Sequence, residues 1–247
     1  MSLFAVYVIN IRLNLMVDLS QAALLIIDLQ EDFLPPEGAL AVKDGRDLIP
    51  SIIGLLDKQY NWGAIIATKD WHPPSHISFA SNHKYKAPYD TKVLNSPDFE
   101  KGDTRQKEHV LWPDHCVQDS FGSKFPAEFE YAFSEIEKLG NVPCTIIKKG
   151  YLEDREYYSC FKDIWGLHQT ECSNFLKENN IKTVYVVGIA FDYCVLNSAI
   201  DSAKEGFYTV VLSDLTKAVF PENYDMTTIK YEEAGVKVSD SSVLAES

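Results

Sequence analysis

Six short, mostly β-branched apolar runs punctuate the chain: "ALLIID" at 23–28, "AIIATKD" at 64–70, "CTIIKK" at 144–149, "TVYVVG" at 183–188, "TVVLSD" at 209–214 and "VKVS" at 236–239. Each is short for a helix and predicts a strand buried on both faces. Between most of them lie segments with apolar residues three and four apart: "IPSIIGLLDKQ", "PAEFEYAFSEIEKL", "QTECSNFLKEN", "CVLNSAIDSAKEG" and "TTIKYEEAG". That spacing predicts amphipathic helices, and the last two segments end in the glycine that commonly stops one. Continuous apolar strands alternating with helices predict a three-layer α/β/α domain around a doubly wound, mainly parallel six-stranded sheet. One stretch breaks the rhythm: residues 70–125 hold Pro, His, Trp and Asn with little periodicity. A structureless span of that length inside a domain is expected to be functional.

Composition narrows the classes. With 247 residues, 46% of them hydrophobic and 24% charged, the chain fits one large soluble domain, expected over residues 21–247. No apolar run reaches the roughly 18–20 residues that a membrane helix needs, so no membrane association is expected. A formal charge of -13 repels phosphate backbones and no basic patch offsets it, which argues against nucleic acid as a partner. Five cysteines without a CxxC pair read as free thiols in a reducing compartment. The cytosol is the default, and a nuclear or peroxisomal pool leaves no mark at this level. Residues 1–20 are apolar but lack the basic start and small-residue cleavage site of a secretory signal. They are expected to be an N-terminal extension, either an extra strand or a disordered tail.

Ligands of open parallel α/β sheets bind beyond the carboxyl ends of the strands. The first strand ends at Asp28, the second at Asp70 with His72 beyond it, the third at Lys148 and Lys149, and the fourth at the corner before Cys194. Taken singly, a buried cysteine is as often packing as chemistry, a strand-end Asp usually caps a turn, and a lysine is usually solvated. Taken together they form a reactive set. At a helix start, free N–H groups and the macrodipole are expected to lower the Cys194 pKa from roughly 8.5 and favour a thiolate. The same N–H groups can hold an oxyanion. Asp28 can take and return a proton, with Gln30 and Asp32 bracing its loop. Lys149 would balance the charges of both.

The segment "KDWHPPSHISF" supplies Asp70, His72 and His76, and "LWPDHC" supplies His115. One carboxylate and two imidazoles suit a divalent ion such as zinc with positions left for water or substrate, which makes the irregular stretch a metal-binding loop insertion. His76 is either a fourth ligand or a hydrogen-bonding residue within the loop. Phe33, Trp112, Tyr158 and Tyr193 adjoin the candidate residues. Four such aromatics suggest a flat aromatic substrate enclosed by its faces.

Five motifs in order, "IIDLQEDF", "TKDWHPPSHISF", "LWPDHC", "KKGYLEDREYYS" and "VVGIAFDYCV", resemble the nicotinamidase branch of the isochorismatase-like cysteine hydrolases, the eukaryotic, yeast-like members most closely. The resemblance runs from about Leu24 to Val238. It implies a catalytic triad of Asp28, Lys149 and Cys194, and an oxyanion hole from the N–H groups of Ala190 and Cys194 beside a cis Ile189–Ala190 peptide. It implies zinc, or another divalent metal, on Asp70, His72 and His115, and Phe33, Trp112, Tyr158 and Tyr193 around a nicotinamide ring. The implied activity is deamidation of nicotinamide to nicotinic acid and ammonia through a Cys194 thioester. The departures are Phe191, Asp192 and Asp114, none of which removes a reactive group. Two other readings keep the fold: a hydrolase of ureido or carbamoyl compounds, often without metal, and a non-catalytic metal-binding pseudoenzyme. A homo-oligomer is compatible with all three.

Overall fold

The computed structural model describes residues 19–245, so the expected extension lies outside the described residues except for Leu19 and Ser20. The central strand is β1 (Ala22–Ile27), whose six residues are all buried. Its side chains alternate between two cores. Ala22, Leu24 and Ile26 pack with Ile49 and Ile52 of α1 (Leu48–Gly54) and with Phe129 and Phe133 of α2 (Ala127–Leu139). Ala23, Leu25 and Ile27 pack on the other face with Leu176 of α3 (Cys172–Glu178), Val195 and Ala199 of α4 (Cys194–Lys204) and Tyr231 of α5 (Tyr224–Glu233). A strand apolar at every position needs such cover on both sides.

The remaining strands are β2 (Ala64–Asp70), β3 (Thr91–Asn95), β4 (Gln106–Val110), β5 (Cys144–Lys149), β6 (Thr183–Ile189), β7 (Tyr208–Lys217) and β8 (Lys237–Ser239). Five of them join β1 in one parallel sheet in the order β5-β2-β1-β6-β7-β8. From β1 the chain winds outward through β2 to β5, then returns to β6 on the other side of β1. The reversal opens a crevice beyond the ends of β1 and β6, the place where such sheets bind ligands. Among the described residues, no helix is long and apolar enough to cross a membrane.

The stretch between β2 and α2 is not structureless, as the sequence pattern suggested. β3 and β4 pair as an antiparallel hairpin with Thr91 opposite Val110. Most of its residues are exposed or half-buried, so the apolar alternation that marks a half-buried strand is absent. The hairpin is docked by its cations: Arg105 Nη1 donates to the Trp165 carbonyl at 2.8 Å and Lys107 Nζ to that of Ile164. Deeper in the insertion, short bridges pair His72 with Val117 and Phe79 with Trp112. They bring together segments about forty residues apart.

Candidate active site and metal centre

Four neighbouring strands end in the site residues, which lie along the sheet edge in the order Lys149 (β5), Asp70 (β2), Asp28 (after β1) and Cys194 (after β6). Gly188, the penultimate residue of β6, has a φ of +107°. A Cβ there would sit 2.1 Å from the Ile27 carbonyl oxygen, so only glycine lets the two strand ends approach this closely. The peptide between Ile189 and Ala190 is cis, and α4 begins at Cys194. The N–H groups of Tyr193 and Val195 both donate to the Ala190 carbonyl at 3.0 Å. Among the described residues, the N–H groups of Ala190 and Cys194 have no protein acceptor. Those are the two donors expected to hold an oxyanion.

Lys149 is fully buried and is the hub of the site. Its ammonium lies 2.7 Å from Asp28 Oδ2, pairs with Asp70 Oδ1, donates to the Tyr157 carbonyl at 3.1 Å and sits 3.4 Å from Cys194 Sγ. Lys148 points the other way, exposed, with its Nζ 3.8 Å from the centre of the Trp71 ring. Asp28 is held from its far side by Thr68, which donates to Oδ1 at 2.6 Å and accepts the Asp28 N–H at 3.0 Å. Gln30 donates to the Asp70 carbonyl and accepts the Asp70 N–H, both at 2.8 Å, tying the ends of β1 and β2. Asp32 Oδ2 accepts the Cys116 N–H at 2.6 Å. These two residues brace the loop and stand clear of the reacting groups.

The electrostatics differ from the sequence expectation in one respect. Burial, aided by Asp28 and Asp70, pushes the Cys194 thiol well above its usual range, and this outweighs the pull of Lys149. These surroundings favour the thiol form of Cys194. The helix start is present, but its dipole acts on a largely buried sulfur that two carboxylates flank. Asp28 is raised by burial to about 6, against the opposing pull of Lys149. Burial would raise Asp70 as well, but Lys149, His72 and His115 hold it well below the usual carboxylate range.

Asp70 turns its second oxygen to the histidines. His72 Nε2 is 3.6 Å and His115 Nε2 3.9 Å from Asp70 Oδ2. The opposite nitrogens are fixed on backbone carbonyls, His72 Nδ1 on Gly150 at 2.9 Å and His115 Nδ1 on Pro113 at 2.8 Å. Orientation of this kind is the usual second layer around a metal-ligating histidine. His72 Nε2 is buried without a hydrogen-bond partner, as expected of a nitrogen that ligates a cation. The donor set therefore fits a divalent ion. His76 does not join it: Nδ1 bonds Ser78 Oγ at 2.7 Å, Nε2 bonds the Arg155 carbonyl at 3.0 Å, and burial pushes its pKa down to about 3.

Above these groups lies a narrow pocket lined by Phe33, Trp112, Tyr158, Tyr193, Asp70 and Cys194, among others. Trp112 and Tyr193 meet edge to face at 4.8 Å, and Trp112 Nε1 donates to Tyr158 OH at 3.1 Å. Glu156 also lines the pocket, buried, with Oε2 lacking a hydrogen-bond partner and His109 Nε2 at 3.8 Å. Neither Glu156 nor Thr68 stands out in the sequence. Glu156 does lie inside the "REYYS" motif, the one signal that could have found it.

The arrangement has known counterparts. The isochorismatase domain model matches residues 22–243. The nicotinamidase of Saccharomyces cerevisiae is 40% identical over 210 residues, covering 85% of this chain and 94% of the relative. A crystal structure of the yeast nicotinamidase bound to the inhibitor nicotinaldehyde matches with a TM-score of 0.81 at 38% identity, covering 89% of this chain and 99% of that one. An L. infantum relative in complex with nicotinate matches at 0.74 and 30% identity over 93% and 98% of the two chains. The Pyrococcus horikoshii pyrazinamidase in complex with zinc matches at 0.65 and 30% identity over 89% and 99%. With the domain model matched from one end of the sheet to the other, and the yeast relative matched over nearly its whole length, the chain belongs to the isochorismatase family.

Proposed function

We propose that the chain is a nicotinamidase, hydrolysing nicotinamide to nicotinic acid and ammonia with Asp28, Lys149 and Cys194 as the catalytic residues. The observation that carries the reading is the Lys149 ammonium held between Asp28 and Cys194 under an aromatic pocket. At neutral pH Asp28 is largely ionised and Cys194 is a thiol. Asp28 takes the thiol proton as sulfur attacks the carboxamide carbon, so negative charge moves from the carboxylate to a sulfur that Lys149 still faces. The carbonyl oxygen becomes an oxyanion against the N–H groups of Ala190 and Cys194. Collapse breaks the C–N bond, Asp28 passes its proton to the departing nitrogen, and ammonia leaves a Cys194 thioester. Asp28 then deprotonates a water that attacks the thioester, and the sulfur regains a proton as nicotinic acid departs.

Asp70, His72 and His115 would hold the ion, zinc by the chemistry of one carboxylate and two imidazoles, and it would supply Lewis acidity that orients the ring and draws electron density from it. Phe33, Trp112, Tyr158 and Tyr193 sandwich the ring and exclude water. The test is ammonia release from nicotinamide, measured beside Cys194→Ala and a chelator-treated sample. Release that disappears in the variant and falls on chelation is expected. Metal-loaded wild-type protein that releases none would overturn the substrate and point to ureido or carbamoyl compounds.

A further inference from the structure

A second, open concavity is lined by Lys43, Asp44, Phe191, Lys217 and Tyr224, among others, and shares no lining residue with the active-site pocket. Its hydroxyls are spent as donors: Ser213 Oγ on the Ser239 carbonyl at 3.2 Å, and Thr216 Oγ1 on the Ser213 carbonyl at 3.0 Å. Three charged groups remain. Among the described residues, the ammonium groups of Lys43 and Lys217 and the carboxylate of Asp44 have neither an ion-pair nor a hydrogen-bond partner. In a chain of formal charge -13, two cations against one carboxylate leave this concavity with an excess positive charge, which runs against the general field and favours an anion. The Tyr224 ring is 42% exposed and lies stacked on buried Phe191, with centroids 4.8 Å apart and planes 9° from parallel. A ring backed in that way offers a rigid flat face to another ring.

From this set we infer a binding site for a ribonucleoside monophosphate. The phosphate carries about -1.5 to -2 charges at neutral pH and suits the two lysines. Asp44, which would repel a bare anion, accepts the sugar hydroxyls. The base lies on Tyr224. The site shares Phe191 with the turn between Ile189 and Cys194, and the Phe191 N–H donates to the Lys217 carbonyl at 2.8 Å.

Calorimetric titration of the wild-type protein with adenosine monophosphate, adenosine and inorganic phosphate tests the inference. Saturable binding of the monophosphate, tighter than either fragment and undiminished by saturating nicotinic acid, is expected. Lys43→Met and Lys217→Met keep the apolar stems, and each is expected to weaken the monophosphate about tenfold, the worth of one charge-assisted hydrogen bond, while adenosine binding does not move. Wild-type melting temperatures establish that both variants fold. Absence of saturable binding, equal affinity for phosphate alone, displacement by nicotinic acid, or affinity unchanged in both folded variants would each overturn it.

Discussion

Asp70 and Lys149 are partners twice over: the β2–β5 register sets their backbones opposite one another, and their side chains close an ion pair at the strand ends. Strand pairing, more than side-chain choice, therefore aims the ammonium. Lys149 neutralises two buried carboxylates at once. Lys149→Met is expected to cost about 3–5 kcal/mol in denaturant unfolding, because it strands buried charge, and to abolish ammonia release. Lys148→Met, one residue earlier on the exposed side, is expected to stay within about 0.5 kcal/mol of wild type. Equal stabilities for the two would show that the ammonium is not compensating Asp28 and Asp70.

In the proposed mechanism Asp28 is the proton acceptor and sets an acid limit on activity. Asp28 stands near pH 6 because burial disfavours its charged form. It accepts the thiol proton only when ionised, so kcat/KM is present above that pH and falls about tenfold per unit below it. A profile of kcat/KM from pH 4.5 to 8 reads this directly. A level profile down to pH 5 would remove Asp28 as the base.

In the proposed metal centre, retention of the ion would depend on Gly150, which is not one of the proposed ligands. Gly150 has φ +72°, and a Cβ there would lie 2.3 Å from His72 Cε1. In Gly150→Ala the imidazole has to move and lose its Gly150 carbonyl anchor. Zinc bound per chain, measured by elemental analysis after dialysis, is expected to fall at least about tenfold, as for other losses of support around a ligand. Full zinc content in a folded variant would show that His72 is not a ligand.

Asp192 clamps the pocket wall. Its two oxygens accept the N–H groups of Val219 and Phe220 at 2.9 and 2.8 Å, and Val219 lines the pocket. Asp192→Ala is expected to raise KM for nicotinamide about tenfold with a smaller change in kcat, from the loss of two charge-assisted hydrogen bonds to a wall and none to the reacting atoms. Asp192→Asn, retaining one acceptor, is expected to fall between. A kcat defect at unchanged KM would place Asp192 in the chemistry instead.

The parts of the molecule legible in advance share a physical reason. The central strands β1 and β6 are nearly continuous apolar runs because both their faces are covered, and Asp28, Asp70 and Cys194 stand out because strand ends are where such sheets do chemistry. The β3–β4 hairpin stayed hidden because its residues are largely solvated and its partners on Trp165 and Ile164 lie far along the chain. Thr68 was hidden for a related reason: only the β1–β2 pairing brings its hydroxyl to Asp28. The direction of the Cys194 shift was misjudged because a helix start is visible in a sequence, whereas depth of burial beside two carboxylates is not.

The strand order also governs how the chain is made. β1 pairs with β6, Ala22 against Thr183, so during synthesis one edge of "AALLII" stays open until three quarters of the polypeptide exists. An apolar strand without charge or proline is a ready template for the wrong partner while it waits. The nascent chain is thus most exposed to self-association, and most in need of a holding chaperone, in the interval before β6 emerges.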